Sequence, residues 1–332
     1  MDVNLTETLE FIGKGVLEPT FMYAGTVLNV LVFCIWMCGH KSKSLCCATY
    51  FSANAVADFL LLTIRPIIQK RWIIRTPWRK TDFTCKLFWS LYSSILQVST
   101  WLSATITVER ALTIVLPFVF KSQDMSRRSK YIIAIIVVML PFTQTLNLIY
   151  MTSRSSQHYN HTYCSVTSWE GILIDESLHV CLAIAIPFLV IIFFNLATIT
   201  ALCRNRFRQH TVSGNRDHIL VFTKITIMTG VSFVLSYFMY FYRCIIWISE
   251  SLGEWGTFHN RVYVISISLH EGMVYVNSCM NPIICLVVCR SMHDDMKAFL
   301  MAVIRRVRRP CASRQSHHNL PTPNAAQIAT TV

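Results

Sequence analysis

The sequence predicts an all-α membrane protein: a seven-transmembrane helix bundle with a short amphipathic cytoplasmic helix after the seventh span. Composition is the first reason, because 53% of the 332 residues are hydrophobic and only 14% are charged. Soluble domains carry about a quarter of their residues as charge. Segmentation is the second reason, because seven apolar stretches reach the roughly 20 residues that a helix needs to cross a bilayer. The distribution of basic residues is the third.

The predicted spans contain almost no charged residues. The first, third, fourth and fifth contain none, and the others contain one each, namely Asp58, Arg243 and Glu271. No stretch shows the alternation of a strand, so no sheet is expected. In chain order the spans are 19–39, 44–64, 87–108, 131–153, 177–203, 225–249 and 262–289.

Lysine and arginine are divided unequally between the two sets of connections. One set holds 19 of the 30 Lys and Arg but only 6 of the 17 Asp and Glu, so it carries the whole net charge of +13. Cytoplasmic connections are enriched in basic residues, which places the N-terminus outside and the C-terminus in the cytoplasm. Glycosylation sequons at Asn4 and Asn160 both fall on the outer side. The expected location is the plasma membrane.

Four segments follow from these assignments. The N-terminal tail lacks the basic and apolar regions of a signal peptide, so the first span is expected to direct insertion. The segments are an extracellular tail at 1–18, the bundle at 19–290, an amphipathic juxtamembrane helix at 291–309 and a disordered cytoplasmic tail at 310–332.

Polar motifs stand at fixed places in the spans. One buried polar residue would be ordinary hydrogen bonding between helices, but several motifs in this order are not explained that way. Arg110 follows Cys85 by 25 residues, and Trp78 precedes Cys85 by seven. The motif residues are Asn29, Asp58, Cys85, Glu109, Arg110, Pro117, Phe118, Asn277, Asn281 and Pro282. Through them the chain resembles the rhodopsin-like (class A) G protein-coupled receptors, and peptide receptors in particular, over about residues 20 to 305.

The resemblance implies a G protein contact at the cytoplasmic end of the third span. Arg110 is expected to be buried, with its charge balanced by the adjacent Glu109, and to reach the G protein once released. Pro117 and Phe118 follow, and Phe118 is placed to enter a hydrophobic cleft on the G protein. A purely structural Glu-Arg pair is the alternative.

The resemblance also implies an ion site around Asp58. Ser99, Asn277, Ser278 and Asn281 are expected to face this carboxylate, with Asn29 and Pro282 in the same activation region. Oxygen ligands suit a small hard cation, here Na⁺, with Asp58 as the metal ligand. A water-filled hydrogen-bond network without an ion is the alternative, and no other cofactor is expected.

Two cysteine features carry separate predictions. By resemblance, Cys85 at the start of the third span is expected to form a disulfide with Cys164 in the second outer connection. Cys311 follows a basic stretch and is either a palmitoylation site or an idle thiol.

The chain departs from the family pattern at three motifs. Residues 236–239 read Ser-Tyr-Phe-Met where the family has Cys-Trp-x-Pro. Cys285 and Asn195 stand where two tyrosines are usual. These departures leave coupling efficiency, basal activity and signalling competence open, whereas the expected fold is unchanged.

The residues expected to line the outer cavity combine aromatic rings with both signs of charge. That mixture suits a short peptide, with an amidated neuropeptide of the Arg-Phe-amide kind as a subtype. Glu271 is expected to pair either with Arg65 or Arg243 or with a cation on the ligand. The ligand-binding candidates are Arg65, Gln69, Tyr92, Tyr237, Tyr240, Arg243 and Glu271.

A chemosensory or photoreceptive receptor of the same fold is the main alternative, and a transporter or channel is the next. No nucleophile-base set or histidine-rich metal spacing indicates an enzyme. The expected partners are an extracellular peptide, a heterotrimeric G protein, arrestin, membrane lipid and a PDZ protein that captures Thr330-Thr331-Val332. No nucleic-acid partner is expected.

Overall fold

The structure is a computed structural model. It describes residues 8, 11–39, 48–69, 81–115, 125–145, 149, 151–156, 161–166, 177–206, 216–251 and 257–316.

Eight α-helices form the described fold, so the predicted bundle of seven helices with one further helix is confirmed. A π-helical segment precedes the first helix at Phe11–Leu17 and another precedes the fifth at Val180–Ala185. The helices are α1 Glu18–Cys38, α2 Ala48–Gln69, α3 Asp82–Val115, α4 Met125–Phe142, α5 Ile186–Arg206, α6 Arg216–Ser251, α7 Thr257–Val288 and α8 Arg290–Ser316.

The connection between α4 and α5 contains strands, which the sequence analysis did not predict. Strand β1 (Met151–Ser156) pairs antiparallel with β2 (His161–Val166). The fourth span was predicted to run to residue 153, but α4 ends at Phe142. Pro141 lacks an N–H donor, and the Thr143 N–H and hydroxyl both bond to the Leu140 carbonyl in a turn. The prediction placed the helix end too late because hydropathy alone does not reveal this turn.

Two predicted boundaries also move. Residues 11–17 are helical, so the predicted N-terminal tail is shorter than 1–18. Helix α8 continues to Ser316, whereas a disordered tail was predicted from residue 310. The predicted helix at 291–309 therefore stands, but seven residues of the predicted tail continue it.

Helix α8 leaves the bundle at a sharp bend. The axes of α7 and α8 meet at 94° around Cys289. Helix α1 ends at Gly39, whose N–H bonds to the Ile35 carbonyl at 2.8 Å. A Cβ at Gly39 would overlap the Asp295 carboxylate, so this glycine allows the first turns of α8 to pack against the end of α1.

Apolar side chains cover the outside of the bundle, whereas Asp58 of α2 and Arg110 of α3 are buried inside it. Val27, Leu189 and Val287 are each more than 60% exposed, as expected for side chains that face lipid. Asp58 and Arg110 are 0% and 7% exposed. By length and hydropathy alone, three described helical segments could cross a membrane: Gly15–Cys38, Ser177–Arg204 and Thr223–Tyr242.

The π-helical segment before α5 connects α5 to α3. A π-helical turn breaks the regular pattern of backbone bonding and leaves carbonyls available to other donors. The Trp101 indole N–H uses one of them, because it donates to the Leu182 carbonyl at 2.8 Å. Ala183 and Ile184 are fully buried beside it, so this segment is part of the packed core.

Gly25 sets the close approach of α1 to α2 and α7. A Cβ added there would lie 2.8 Å from Leu62 Cδ1 and 3.4 Å from Cys279 Cβ. Any larger residue would therefore force the Leu62 side chain to move and press against Cys279 of α7.

We expect Gly25→Val to lower the melting temperature of the purified protein in detergent, because overpacking of this kind costs about 1–3 kcal/mol. The control is Ala24→Val, since Ala24 is the neighbouring position and is exposed. Equal losses in the two variants would contradict close packing at Gly25.

Candidate functional site

Asp58 lies at the centre of the bundle, completely buried. Its Oδ1 accepts a hydrogen bond from the Ser99 hydroxyl at 2.6 Å. Its Oδ2 accepts from the side-chain amides of Asn54 at 3.0 Å and Asn281 at 2.9 Å. The Ser278 hydroxyl is also within hydrogen-bonding reach. Residues of α2, α3 and α7 thus converge on one carboxylate.

Asn29 connects α1 to the same region. Its side-chain N–H₂ donates to the Gly25 carbonyl at 2.9 Å and to the Ser278 carbonyl at 3.0 Å. Ser278 therefore contacts Asn29 through its backbone and Asp58 through its side chain. Four helices meet at this point, and Pro282 follows one turn later inside α7.

Of the residues predicted to face Asp58, the structure brings three into contact: Ser99, Ser278 and Asn281. Asn277 is 4% exposed, and the described contacts of Asp58 do not include it. Asn54 is a further contact that the analysis did not select as a ligand. Its position four residues before Asp58 on one helix face is the signal that could have identified it.

The ion pair described for Glu109 is with Arg128 in the first turn of α4. Arg128 Nη2 lies 2.9 Å from Glu109 Oε1, and its Nε lies 3.3 Å from the same oxygen. Glu109 is 5% exposed, while the Arg128 side chain is 38% exposed. Glu109 Oε2 has no hydrogen-bond partner among the described residues, although the Tyr50 side chain lies close by. The sequence analysis missed Arg128, because helical spacing does not relate it to Glu109.

Arg110 is buried beside this pair, at the end of the bundle that we call the Arg110 end. Its predicted contact with Glu109 stays a prediction. Pro117 and Phe118 lie outside the described residues, as do Asn4, Asn160 and Thr330-Thr331-Val332.

At the opposite end, which we call the Cys85 end, Arg65 is enclosed by aromatic rings. Its Cζ lies 4.8 Å from the ring centroid of Tyr275 and 5.7 Å from that of Tyr92. Arg65 is 4% exposed and Tyr275 is 1% exposed. Tyr275 was not selected as a candidate, and only the contact itself identifies it. The side chains of Gln69, Arg243 and Glu271 lie outside the description.

The aromatic run of α6 divides into two faces. Tyr237 and Tyr240 are buried at 1% and 3% exposure, whereas Phe238 is 62% and Tyr242 42% exposed. The expected aromatic wall therefore consists of about half of the run, as a 3.6-residue period requires. His179, before α5, lies with its ring 6.2 Å from that of Tyr240.

Cys85 is disulfide-bonded and completely buried at the start of α3. Its Sγ lies 3.5 Å from the carbonyl oxygen of Thr152 in β1. The next residue, Ser153, is the register partner of Cys164 in β2. This placement supports Cys164 as the bonded partner.

The two positions at which tyrosines are usual are closely packed. Cys285 is 1% exposed. Gly230 of α6 lies against Asn195 of α5, so closely that an added Cβ would overlap the Asn195 amide. Asn195 Oδ1 is buried and has no hydrogen-bond partner among the described residues.

Seven helices surround a shared buried carboxylate, and the bundle has a Glu-Arg motif at one end and a disulfide at the other. This arrangement defines a seven-transmembrane receptor. The chain belongs to the rhodopsin family of these receptors, because residues 28–284 match the family "7 transmembrane receptor (rhodopsin family)". Proteins of this family are multi-pass membrane receptors and not enzymes, which confirms the prediction of a receptor.

Several curated proteins are similar to most of the chain. N-formyl peptide receptor 3 of Homo sapiens is 24% identical, over 92% of this chain and 87% of its own. C5a anaphylatoxin chemotactic receptor 1 of Danio rerio is 22% identical, over 83% and 77%. Atypical chemokine receptor 3 of Mus musculus is 24% identical, over 76% and 69%.

We expect Arg128→Gln to destabilise the purified protein by about 1–3 kcal/mol, because the buried Glu109 carboxylate loses its cation. Arg127→Gln is the matched control, since Arg127 is exposed and contacts the ring of Tyr131 at 6.0 Å. Adding Glu109→Gln to Arg128→Gln should restore most of the lost melting temperature, because a neutral amide needs no cation. A double variant no more stable than Arg128→Gln would show that the pair is not the cause.

Proposed function

We propose that this receptor binds an extracellular peptide and activates a heterotrimeric G protein. The observation that carries the proposal is the hydrogen-bond network of Asp58, which joins α2, α3 and α7 between a candidate ligand cavity and the Arg110 end. The similar receptors named for formyl peptides and C5a support a peptide ligand. The aromatic rings of Tyr92 and Tyr275 around Arg65 are consistent with a binding region for a ligand that carries charge.

A photoreceptive role is less well supported. Covalent retinal needs a lysine amine for a Schiff base, and Tyr275 stands where opsins carry that lysine. A chemosensory role for a small molecule remains the second candidate. A transporter or channel is not supported, because the chain belongs to a family of receptors.

Signalling at the Arg110 end requires an exchange of partners. In the described state the Glu109 carboxylate is held by Arg128, and Arg110 is buried. We infer that ligand binding shifts the bundle toward a state in which Arg110, Pro117 and Phe118 contact the G protein. The orientation proposed with this mechanism has the N-terminus outside and the C-terminus in the cytoplasm.

We propose that Asp58 holds Na⁺ in the inactive state. The carboxylate and the two hydroxyls of Ser99 and Ser278 supply oxygen ligands of the hard type that small cations prefer. Both hydroxyls can rotate to present lone pairs instead of donating. The Asn54 and Asn281 amides stabilise the negative charge, so the site also persists as a network without the ion.

The remaining assignments stay proposals. The Cys85–Cys164 disulfide is supported by the position of Cys85 beside β1. Four further proposals rest on the sequence alone. They are palmitoylation of Cys311, glycosylation at Asn4 and Asn160, recruitment of arrestin, and capture of Thr330-Thr331-Val332 by a PDZ domain.

The proposed function is tested by expressing the chain in cells with a panel of G protein reporters and applying a peptide library. At least one peptide is expected to give a saturable response that is lost in Arg110→Ala without loss of surface expression. For a peptide with a basic group, Glu271→Gln should reduce potency by ~30-fold, which corresponds to about 2 kcal/mol. Responses to non-peptide compounds alone would favour the chemosensory candidate.

If Na⁺ stabilises the inactive bundle, replacing NaCl with N-methylglucamine chloride at constant ionic strength should raise agonist affinity, by linkage. Asp58→Asn should abolish this sensitivity, because the amide carries no charge. Ser103→Ala is the control, since Ser103 contacts Asn54 and not the carboxylate. Sodium sensitivity that persists in Asp58→Asn would leave only the water network.

A further inference from the structure

Helix α4 packs on the bundle along one narrow face. Ile132, Ile133 and Ile136 contact the apolar core from this face. Arg128 in the first turn pairs with Glu109 of α3. Of the described side chains of α4, only that of Ser129 is buried. Most of the surface of this helix therefore faces outward.

The outward side of α4 begins with cations and continues with apolar groups. Arg127 and Lys130 are exposed, and the Arg127 Cζ lies 6.0 Å from the ring centroid of Tyr131. Tyr131, Ile135 and Val138 are each more than half exposed. At about 100° per residue, all five positions fall within about 140° of the helix circumference. We call these five residues the α4 outer face.

The length of the α4 outer face matches the depth of one lipid leaflet. Arg127 and Val138 are separated by 11 residues, or about 16 Å along the axis. Half of a hydrocarbon core of about 30 Å is about 15 Å. The cations lie at the Arg110 end, because Arg128 pairs with Glu109 there. The face thus runs from charge, through an aromatic ring, to apolar side chains, as a phospholipid does from headgroup to acyl chain.

The charge on this face is not balanced within α4. The helix contains no Asp or Glu, and the described ion pair of Glu109 is with Arg128, which leans toward α3. Arg127 and Lys130 therefore add positive charge to the outside of the bundle. A guanidinium fork matches the oxygens of a phosphate, and an ammonium binds phosphate as a point charge. An anionic headgroup is the chemical complement of this pair.

A second copy of the chain is a poorer match to the same face. Two copies in one bilayer have the same orientation, so a symmetric pair has its twofold axis along the membrane normal. A twofold interface uses the same patch on both copies. The Arg127 and Lys130 side chains of the two copies would then meet each other, and like charges that face each other oppose association. An anionic lipid removes this repulsion instead of creating it.

We propose that the α4 outer face holds an anionic phospholipid. Its phosphate contacts Arg127 and Lys130, and one acyl chain lies along Tyr131, Ile135 and Val138. The inference goes beyond the proposed function, since it needs neither a ligand nor a G protein. The proposed orientation puts this lipid in the cytoplasmic leaflet, where anionic lipids are found.

The lipid site is tested on the purified receptor in an uncharged detergent at constant ionic strength. Native mass spectrometry counts the bound lipids during titration with phosphatidylserine or with phosphatidylcholine of the same acyl chains. The first phosphatidylserine is expected to bind at least ~10-fold more tightly than the first phosphatidylcholine, because each nearby basic residue attracts the anionic headgroup. In the double variant Arg127→Gln/Lys130→Gln the two lipids should bind within about twofold of each other.

The matched control is Lys297→Gln/Arg305→Gln, which removes two exposed cations from α8. This variant should keep the preference for phosphatidylserine, since its α4 outer face is unchanged. Both double variants alter exposed side chains only, and their melting temperatures in lipid-free detergent should equal that of the wild type. A preference that survives in Arg127→Gln/Lys130→Gln, or falls equally in both double variants, would overturn a site on α4.

The role of the acyl chain is tested with glycerophosphoserine, which has the same headgroup and no chains. It is expected not to displace phosphatidylserine from the wild type at equal concentration, because it cannot use the apolar part of the face. Displacement would assign the cations to a soluble phosphate and overturn the lipid. Dimers that form in the absence of lipid and are lost in Ile135→Ala/Val138→Ala would instead assign the face to a second copy.

None of these measurements depends on signalling. A receptor that responds to no peptide but keeps the preference for phosphatidylserine would retain the lipid site while the proposed function fails. A receptor that signals normally but binds both lipids equally would retain the proposed function while the lipid site fails.

Discussion

Burial of the Asp58 carboxylate in a lipid-facing bundle is the constraint on which the rest of the structure depends. An ionised group inside a membrane protein is costly unless the protein itself supplies its partners. Here the partners come from α2, α3 and α7, and Asn29 adds α1 through the Ser278 backbone. Each hydrogen bond fixes the rotation of one helix about its axis, so a single carboxylate sets the arrangement of four helices. Apolar contact with lipid cannot do this, because lipid chains are as apolar as the helix surfaces.

The two ends of the bundle supply partners to their buried charges in different ways. Near the Cys85 end, the faces of Tyr92 and Tyr275 contact the guanidinium of Arg65. At the Arg110 end, Arg128 pairs with Glu109 where water is close, since its own side chain is 38% exposed. A conformational change in such a molecule must exchange the partners of these charges. It cannot simply expose them to lipid, and this limits the bundle to a few discrete arrangements.

The sequence predicted the parts of the structure that lipid and motif spacing determine. Hydropathy locates the seven spans because each must cross the same apolar layer, and Ser99 and Asn281 were found because motif positions fix the faces of α3 and α7. Arg128 could not be found, since its contact with Glu109 joins two helices whose spacing no periodicity relates. The hairpin of β1 and β2 was missed because its residues are mostly polar, although Pro141 already marked the end of α4. The division of the α6 aromatic run could have been predicted from a 3.6-residue period.

The departures from the family pattern have a physical consequence at the Arg110 end. Gly230 lets α6 approach α5 closely, and in that arrangement Asn195 Oδ1 is buried without a partner among the described residues. A Cβ at position 230 would overlap the Asn195 amide, so the close packing needs glycine on α6 and a short side chain on α5. The larger tyrosine that is usual at position 195 would not fit against α6 at this distance. The departure from the family pattern at position 195 is therefore matched by the glycine that faces it, and the two residues together set the spacing of α5 and α6.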